Sequence, residues 1–171
     1  KLWIPAPPDP EKKLRYASGW ASGLERLRAE FGGGTGPFPA HLVEAAEQVF
    51  AELFASAGPQ RLLHGDLHHW NILSAEREPW LALDPKGLVG EAEYEIGALL
   101  RNRFPTSSPG ETARLSARRL DILREALSLD RQRMLGWAMA QAVLSAWWTY
   151  EDHHREDEEM FYLAQVLLDM L

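Results

Sequence analysis

The sequence predicts a mostly α-helical domain interrupted once, near its middle, by a small β-hairpin element. Apolar residues recur at helical spacing on both sides of residues 59–90, as at Leu42, Ala46, Val49, Leu53 and Phe54. Between them the period changes, and short apolar runs alternate with polar turns. A hydrophobic content of 46% with seven tryptophans in 171 residues is enough for one packed core.

The elements follow in order. Residues 3–10 read as an extended linker, because each proline turns its predecessor away from helix. Asp9-Pro10-Glu11 has the form of a helix start, with Asp as cap and Pro in the first turn. Leu14, Ala17, Trp20 or Ala21, Leu24, Leu27 and Phe31 then place a helix over 11–31, stopped by Phe31-Gly32-Gly33-Gly34-Thr35-Gly36-Pro37. A second helix is predicted over 41–57 and ended by Gly58-Pro59. Residues 61–64, 71–74 and 80–83 read as three short strands, with a loop at 65–70 and a polar turn at 75–78. Helices return with a short one at 94–101. Ser108-Pro109-Gly110-Glu111 has the form of a capping box and starts a helix to about residue 127. Asp130 caps another through Met134, Trp137, Gln141, Leu144 and Trp148, and a last helix covers 156–171. The single domain, 1–171, thus divides into a linker with two helices (1–58), a loop-and-hairpin segment (59–90) and a helical subdomain (91–171).

Composition excludes several classes. There is no apolar run of the roughly 18 residues that a membrane span needs, and the proline-rich amino end does not suit a signal peptide. The absence of cysteine rules out disulfides, thiolate catalysis and cysteine zinc sites, and fits a reducing, cytoplasmic setting. A net charge of −7, from 18 basic against 25 acidic residues, argues against nucleic acid as partner and favours cationic small molecules.

The chemistry is concentrated in His64-Gly65-Asp66-Leu67-His68-His69-Trp70-Asn71, followed by Leu83-Asp84-Pro85-Lys86-Gly87. The string reads H-x-D-x-x-x-x-N, with a second aspartate eighteen residues after the first, at the end of an apolar strand. Phosphoryl transfer needs one carboxylate to receive or orient the proton of the acceptor hydroxyl. It also needs an Asn and an Asp to hold the magnesium ions that bridge the nucleotide phosphates. Asn71 and Asp84 fall at the ends of two strands that a hairpin places side by side.

These residues, with Leu88-Val89-Gly90 after them, closely resemble the aminoglycoside phosphotransferase family. The nearest branch is that of the streptomycin 6-kinases, also described as aminoglycoside/hydroxyurea resistance kinases. Residues 130–148, with Leu135-Gly136-Trp137-Ala138 and Gln141-Ala142-Val143-Leu144-Ser145-Ala146, are similar to the closing helix of that branch. The resemblance covers most of the chain from about residue 5. It implies the C-terminal lobe of a protein-kinase-like fold with the N-terminal lobe absent. It also implies ATP as phosphoryl donor, Mg²⁺, and a small-molecule alcohol of the aminoglycoside type as acceptor.

By matching position, Asp66 is the catalytic base and Asn71 and Asp84 are the magnesium ligands. His64 braces the catalytic loop. Lys86 stands where this branch differs from the Asp-Phe-Gly of protein kinases, as a candidate phosphate or substrate contact. Trp70 departs from the glycine expected before the asparagine. The glycine-rich phosphate loop and strand lysine of such kinases are missing, so the chain is expected to be an inactive portion of a longer kinase. Gly32-Gly33-Gly34-Thr35-Gly36-Pro37 does not replace them, since it lacks the G-x-G-x-x-G pattern and lies between helices.

Other features carry two readings. The acidic run from Glu151 to Glu159 is a solvated interhelical connection. Alternatively, Glu151 and Asp152 form a wall for a cationic substrate over an aromatic floor of Trp147, Trp148 and Tyr150. Trp20 and Trp137 read as core, and the adjacent His68 and His69 point apart and do not share a metal. Two further functions stay open, a kinase for another small alcohol such as a sugar or amino alcohol, and a noncatalytic helical binding module derived from a kinase.

Overall fold

A computed structural model of the chain describes residues 3–8, 13–102 and 108–171. They form a mostly helical molecule with two small sheets. Its axis is helix α6 (Arg131–His153), numbered after α1 (Ala17–Ala21), α2 (Gly23–Glu30), α3 (Ala40–Ala55), α4 (Ile96–Arg101) and α5 (Pro109–Leu127). Helix α7 (Glu158–Leu168) packs back on α6, as do α3 and α4.

Every residue of α6 from Met134 to Leu144 is buried, so this helix has no polar face over three turns. Its one polar residue there, Gln141, donates from Nε2 to the Tyr94 carbonyl at 2.7 Å. Gly97 makes room for that amide, which a Cβ at this position would strike. Trp137 fills the centre, with ring centroids 5.9 Å from Phe50 and 5.1 Å from both Phe54 and Tyr94. The predicted caps are in place. Ser108 Oγ accepts the Glu111 N–H at 3.3 Å, and Asp130 Oδ1 accepts the Arg133 N–H at 2.9 Å.

The β structure is richer than one hairpin. Strands β1 (Ile4–Pro5), β2 (Arg15–Tyr16), β3 (Arg61–Leu63) and β6 (Leu88–Gly90) form a sheet in the order β1-β3-β6-β2. β3 pairs antiparallel with β6, placing Leu62 opposite Val89, and β2 runs parallel to β6. The predicted hairpin is a separate antiparallel pair, β4 (Ile72–Leu73) with β5 (Leu81–Ala82), in which Ile72 faces Ala82.

Two expectations change, and one strand had no expectation. Ile4 and Pro5, read as linker, are an edge strand, where a proline needs no ladder partner for its nitrogen. The helix read over 11–31 is instead strand β2 followed by two helices, and its Asp9-Pro10-Glu11 start lies outside the described residues. The break falls at Ser22, between Gly19 and Gly23, where the Ser22 hydroxyl donates to the Gly19 carbonyl at 2.7 Å. Finally, β6 has no period-2 signature, because Leu88, Val89 and Gly90 are all buried. Among the described residues no helix is long and apolar enough to cross a membrane.

Candidate active site

Strand β3 delivers the chain to His64-Gly65-Asp66, and the turn there is held from below. Gly65 has φ +84°, and a Cβ at this position would lie 3.0 Å from Leu88 Cβ, so side chain and backbone conformation both select glycine. The buried Glu95 carboxylate accepts the His64 N–H at 2.7 Å and the Gly65 N–H at 2.9 Å, and the Trp3 indole N–H at 3.3 Å. Burial pushes the Glu95 carboxyl above its ordinary value, while the two backbone N–H groups pull the other way. His64 joins two segments. Its Nδ1 accepts the Asp66 N–H at 3.3 Å and its Nε2 donates to the Leu83 carbonyl at 2.7 Å. Those fixed partners define the Nε2–H tautomer.

The residues read from the motif meet in one network. The Asn71 carboxamide donates from Nδ2 to the Asp66 carbonyl at 3.0 Å, and the Asn71 carbonyl accepts the Leu83 N–H at 2.9 Å. Asp84 follows directly, in a left-handed conformation (φ 56°) that aspartate tolerates better than most side chains. Lys86 turns back, its N–H donating to the His64 carbonyl at 2.7 Å and its Nζ to Asp84 Oδ2 at 2.5 Å. That hydrogen bond holds the Asp84 carboxyl below its ordinary range and raises Lys86, to which the nearby Asp66 charge also contributes. Trp70, the departure from the expected glycine, is 61% exposed.

Above Asp66 lies a cleft of about 500 Å³. Arg101, which sequence reasoning missed, enters it with Nη2 3.4 Å from Asp66 Oδ1 and its guanidinium 5.7 Å from the Trp148 ring centroid. Burial lowers its pKa, and Asp66 acts in the opposite sense. Glu95 was missed as well. Arg101 closes the apolar run Ile96–Leu100, a weak signal, whereas Glu95 is one of three alternating glutamates with Glu91 and Glu93 and carried none.

The predicted cationic-substrate wall is only partly assembled. Glu151 lines the cleft, paired with Arg26 at 2.7 Å, whereas the exposed Asp152 is not among the lining residues. Both lie inside α6, which extends to His153, so this part of the acidic run is helix and not a connection. The aromatic floor also differs. Trp148 and Trp20 line the cleft, while Trp147 is buried and Tyr150 faces a neighbouring hollow. Trp20, read as core, packs against the core and also lines the cleft.

The donors suit a hard dication. Asn71 commits its amide nitrogen to Asp66, which leaves its oxygen for a ligand, and Asp84 offers Oδ1 beside the oxygen held by Lys86. Among the described residues no group of three or more His, Cys, Asp or Glu is arranged to hold a metal. Magnesium fits such a sparse set, since it takes one or two protein oxygens and completes its shell with phosphate and water.

Residues 1–153 match the family described as aminoglycoside/hydroxyurea antibiotic resistance kinase, and the chain belongs to it. It is 43% identical over 103 residues to the streptomycin 6-kinase of Streptomyces griseus, covering 60% of this chain and 33% of that protein. To the streptomycin 6-kinase of Streptomyces glaucescens it is 38% identical over 133 residues, 77% of this chain and 43% of that one. To the hydroxyurea phosphotransferase of Kitasatospora aureofaciens it is 38% identical over 128 residues, 74% of this chain and 35% of that one. The chain thus spans less than half the length of each of these curated relatives. No solved structure matches it significantly.

Proposed function

We propose that this chain is the C-terminal catalytic lobe of a protein-kinase-like enzyme. The enzyme moves the γ-phosphoryl group of ATP to a hydroxyl of a small molecule, an aminoglycoside of the streptomycin type. One observation carries the reading: Asp66, Asn71, Asp84 and Lys86 are tied into one hydrogen-bond network, and two of its members, Asp66 and Lys86, line a cleft.

In this reading the Asp66 carboxylate, held by Arg101, aligns the acceptor hydroxyl and takes its proton as the oxygen attacks the γ-phosphorus. The new P–O bond replaces the one to the bridging oxygen, and ADP leaves. Asn71 and Asp84 would hold Mg²⁺, which offsets charge on the phosphates. Lys86 supplies a further cation beside Asp84, and Arg15, on β2, lines the same cleft. His64 takes no proton. Its ring keeps the Asp66 loop and the Asp84 segment in register.

The likeness to the hydroxyurea phosphotransferase favours a second acceptor class, a small neutral hydroxyl compound. Varying Mg²⁺ tests the metal assignment in the full-length enzyme. Asp84→Asn should weaken Mg·ATP binding as well as turnover, with part of the loss recovered at high Mg²⁺. Asparagine keeps the left-handed backbone of Asp84, so the variant removes charge with little strain. A variant with normal Mg²⁺ dependence would show that Asp84 does not hold the metal.

A further inference from the structure

The cleft is lined by four cations, Arg15, Arg26, Lys86 and Arg101, against two carboxylates, Asp66 and Glu151. Phosphates are drawn to such a surface, but a polycationic acceptor is repelled unless it finds a carboxylate. Asp66 is engaged by Arg101, and Glu151 is covered by a guanidinium of the chain itself. Arg26 donates from Nε to Glu151 Oε1 at 2.7 Å and from Nη2 to Oε2 at 3.0 Å, the two-pronged geometry by which carboxylates take planar guanidinium groups.

We propose that Glu151 is the residue that recognises a cationic acceptor, and that Arg26 is its internal occupant. A guanidinium or ammonium group of the acceptor exchanges with Arg26 on Glu151 and lies beside Trp148 and Trp20. This deepens the phosphotransferase reading and rests on the cleft being the acceptor site.

Three features make the exchange cheap and specific. Side-chain exposures of 49% for Arg26 and 35% for Glu151 mark a solvated pair, and such pairs shift an equilibrium by no more than about fivefold. Arg26 and Glu151 also border a second hollow of about 430 Å³, where Glu30 offers the displaced arginine another carboxylate. Trp148 stands one helical turn before Glu151, edge-to-face with Trp20 at 5.5 Å, and already carries the Arg101 guanidinium. These are the aromatic surfaces a cation needs beside its counter-ion.

The test is calorimetric titration of the full-length enzyme, without nucleotide, against streptomycin, which carries two guanidinium groups, and hydroxyurea, which is neutral. Arg26→Ala should tighten streptomycin binding by about two- to fivefold, the factor set by the lost internal pair. Glu151→Gln should weaken it by about tenfold, as expected for a lost charge-assisted hydrogen bond. In the double variant the Arg26→Ala gain should vanish, and hydroxyurea should respond to neither change. A gain that persists in the Glu151→Gln background would mean simple relief of repulsion and would overturn the exchange. So would equal effects on both ligands, or a wild-type enzyme that does not bind streptomycin. Phosphate transfer by the full-length enzyme is scored separately. Transfer that is intact without the binding pattern refutes the exchange alone, and the binding pattern without transfer refutes the kinase reading alone.

Discussion

Asp84 brings together a left-handed backbone, an exposed carboxylate and a lysine two residues on. The Lys86 hydrogen bond lowers its pKa, so the pair's contribution to stability is present above the ordinary value of 3.8 and is lost as pH falls through the depressed one. Lys86→Met should therefore raise the Asp84 pKa toward 3.8, followed by carboxyl NMR titration of the wild type and variant. An unchanged titration would show that Lys86 is not what holds this carboxylate ionised. Residues of this kind were legible in the sequence, because Asp66, Asn71 and Asp84 are recognised by type and by short spacing. Arg101 was not, because its link to Asp66 spans 35 residues and depends on where α4 packs.

The His64-Gly65-Asp66 turn is an element built by a partner it does not contain. Two backbone N–H groups, of His64 and Gly65, depend on the Glu95 carboxylate thirty residues away. Glu95→Ala would strand both in the interior, at about 1–3 kcal/mol each, so urea melts should show a loss of about 2–6 kcal/mol. Gly65→Ala should cost at least 1 kcal/mol, since alanine meets both a positive φ and the Leu88 side chain. A stability change under about 0.5 kcal/mol in either variant would contradict this account of the turn. The helices around the turn were legible from period and caps, with Ser108 and Asp130 capping the predicted helices. The four-stranded sheet was not. Strands of two or three residues carry no period, and their pairing joins positions as distant as Ile4 and Leu62.

One buried carboxylate fastens the sheet side of the molecule to the helical side. Glu91, at the end of β6, accepts from Arg133 at 2.7 Å, from the Gly58 N–H at 2.8 Å and from the Trp137 indole. Arg133 in turn donates to the Leu53 carbonyl at 3.0 Å, closing the end of α3 onto α6. Arg133→Met leaves Glu91 charged and buried without its counter-ion, and should cost about 3–5 kcal/mol by thermal or urea unfolding. The central proposal is that this assembly exists to present Asp66 to a hydroxyl. It is tested most directly by steady-state phosphate transfer from ATP to streptomycin in the full-length enzyme, comparing Asp66→Asn with His68→Ala. Asp66→Asn should lower kcat by about 10²–10⁴-fold with nucleotide binding nearly unchanged, and His68→Ala should do far less. A near-normal kcat in Asp66→Asn, with activity abolished in His68→Ala, would contradict it.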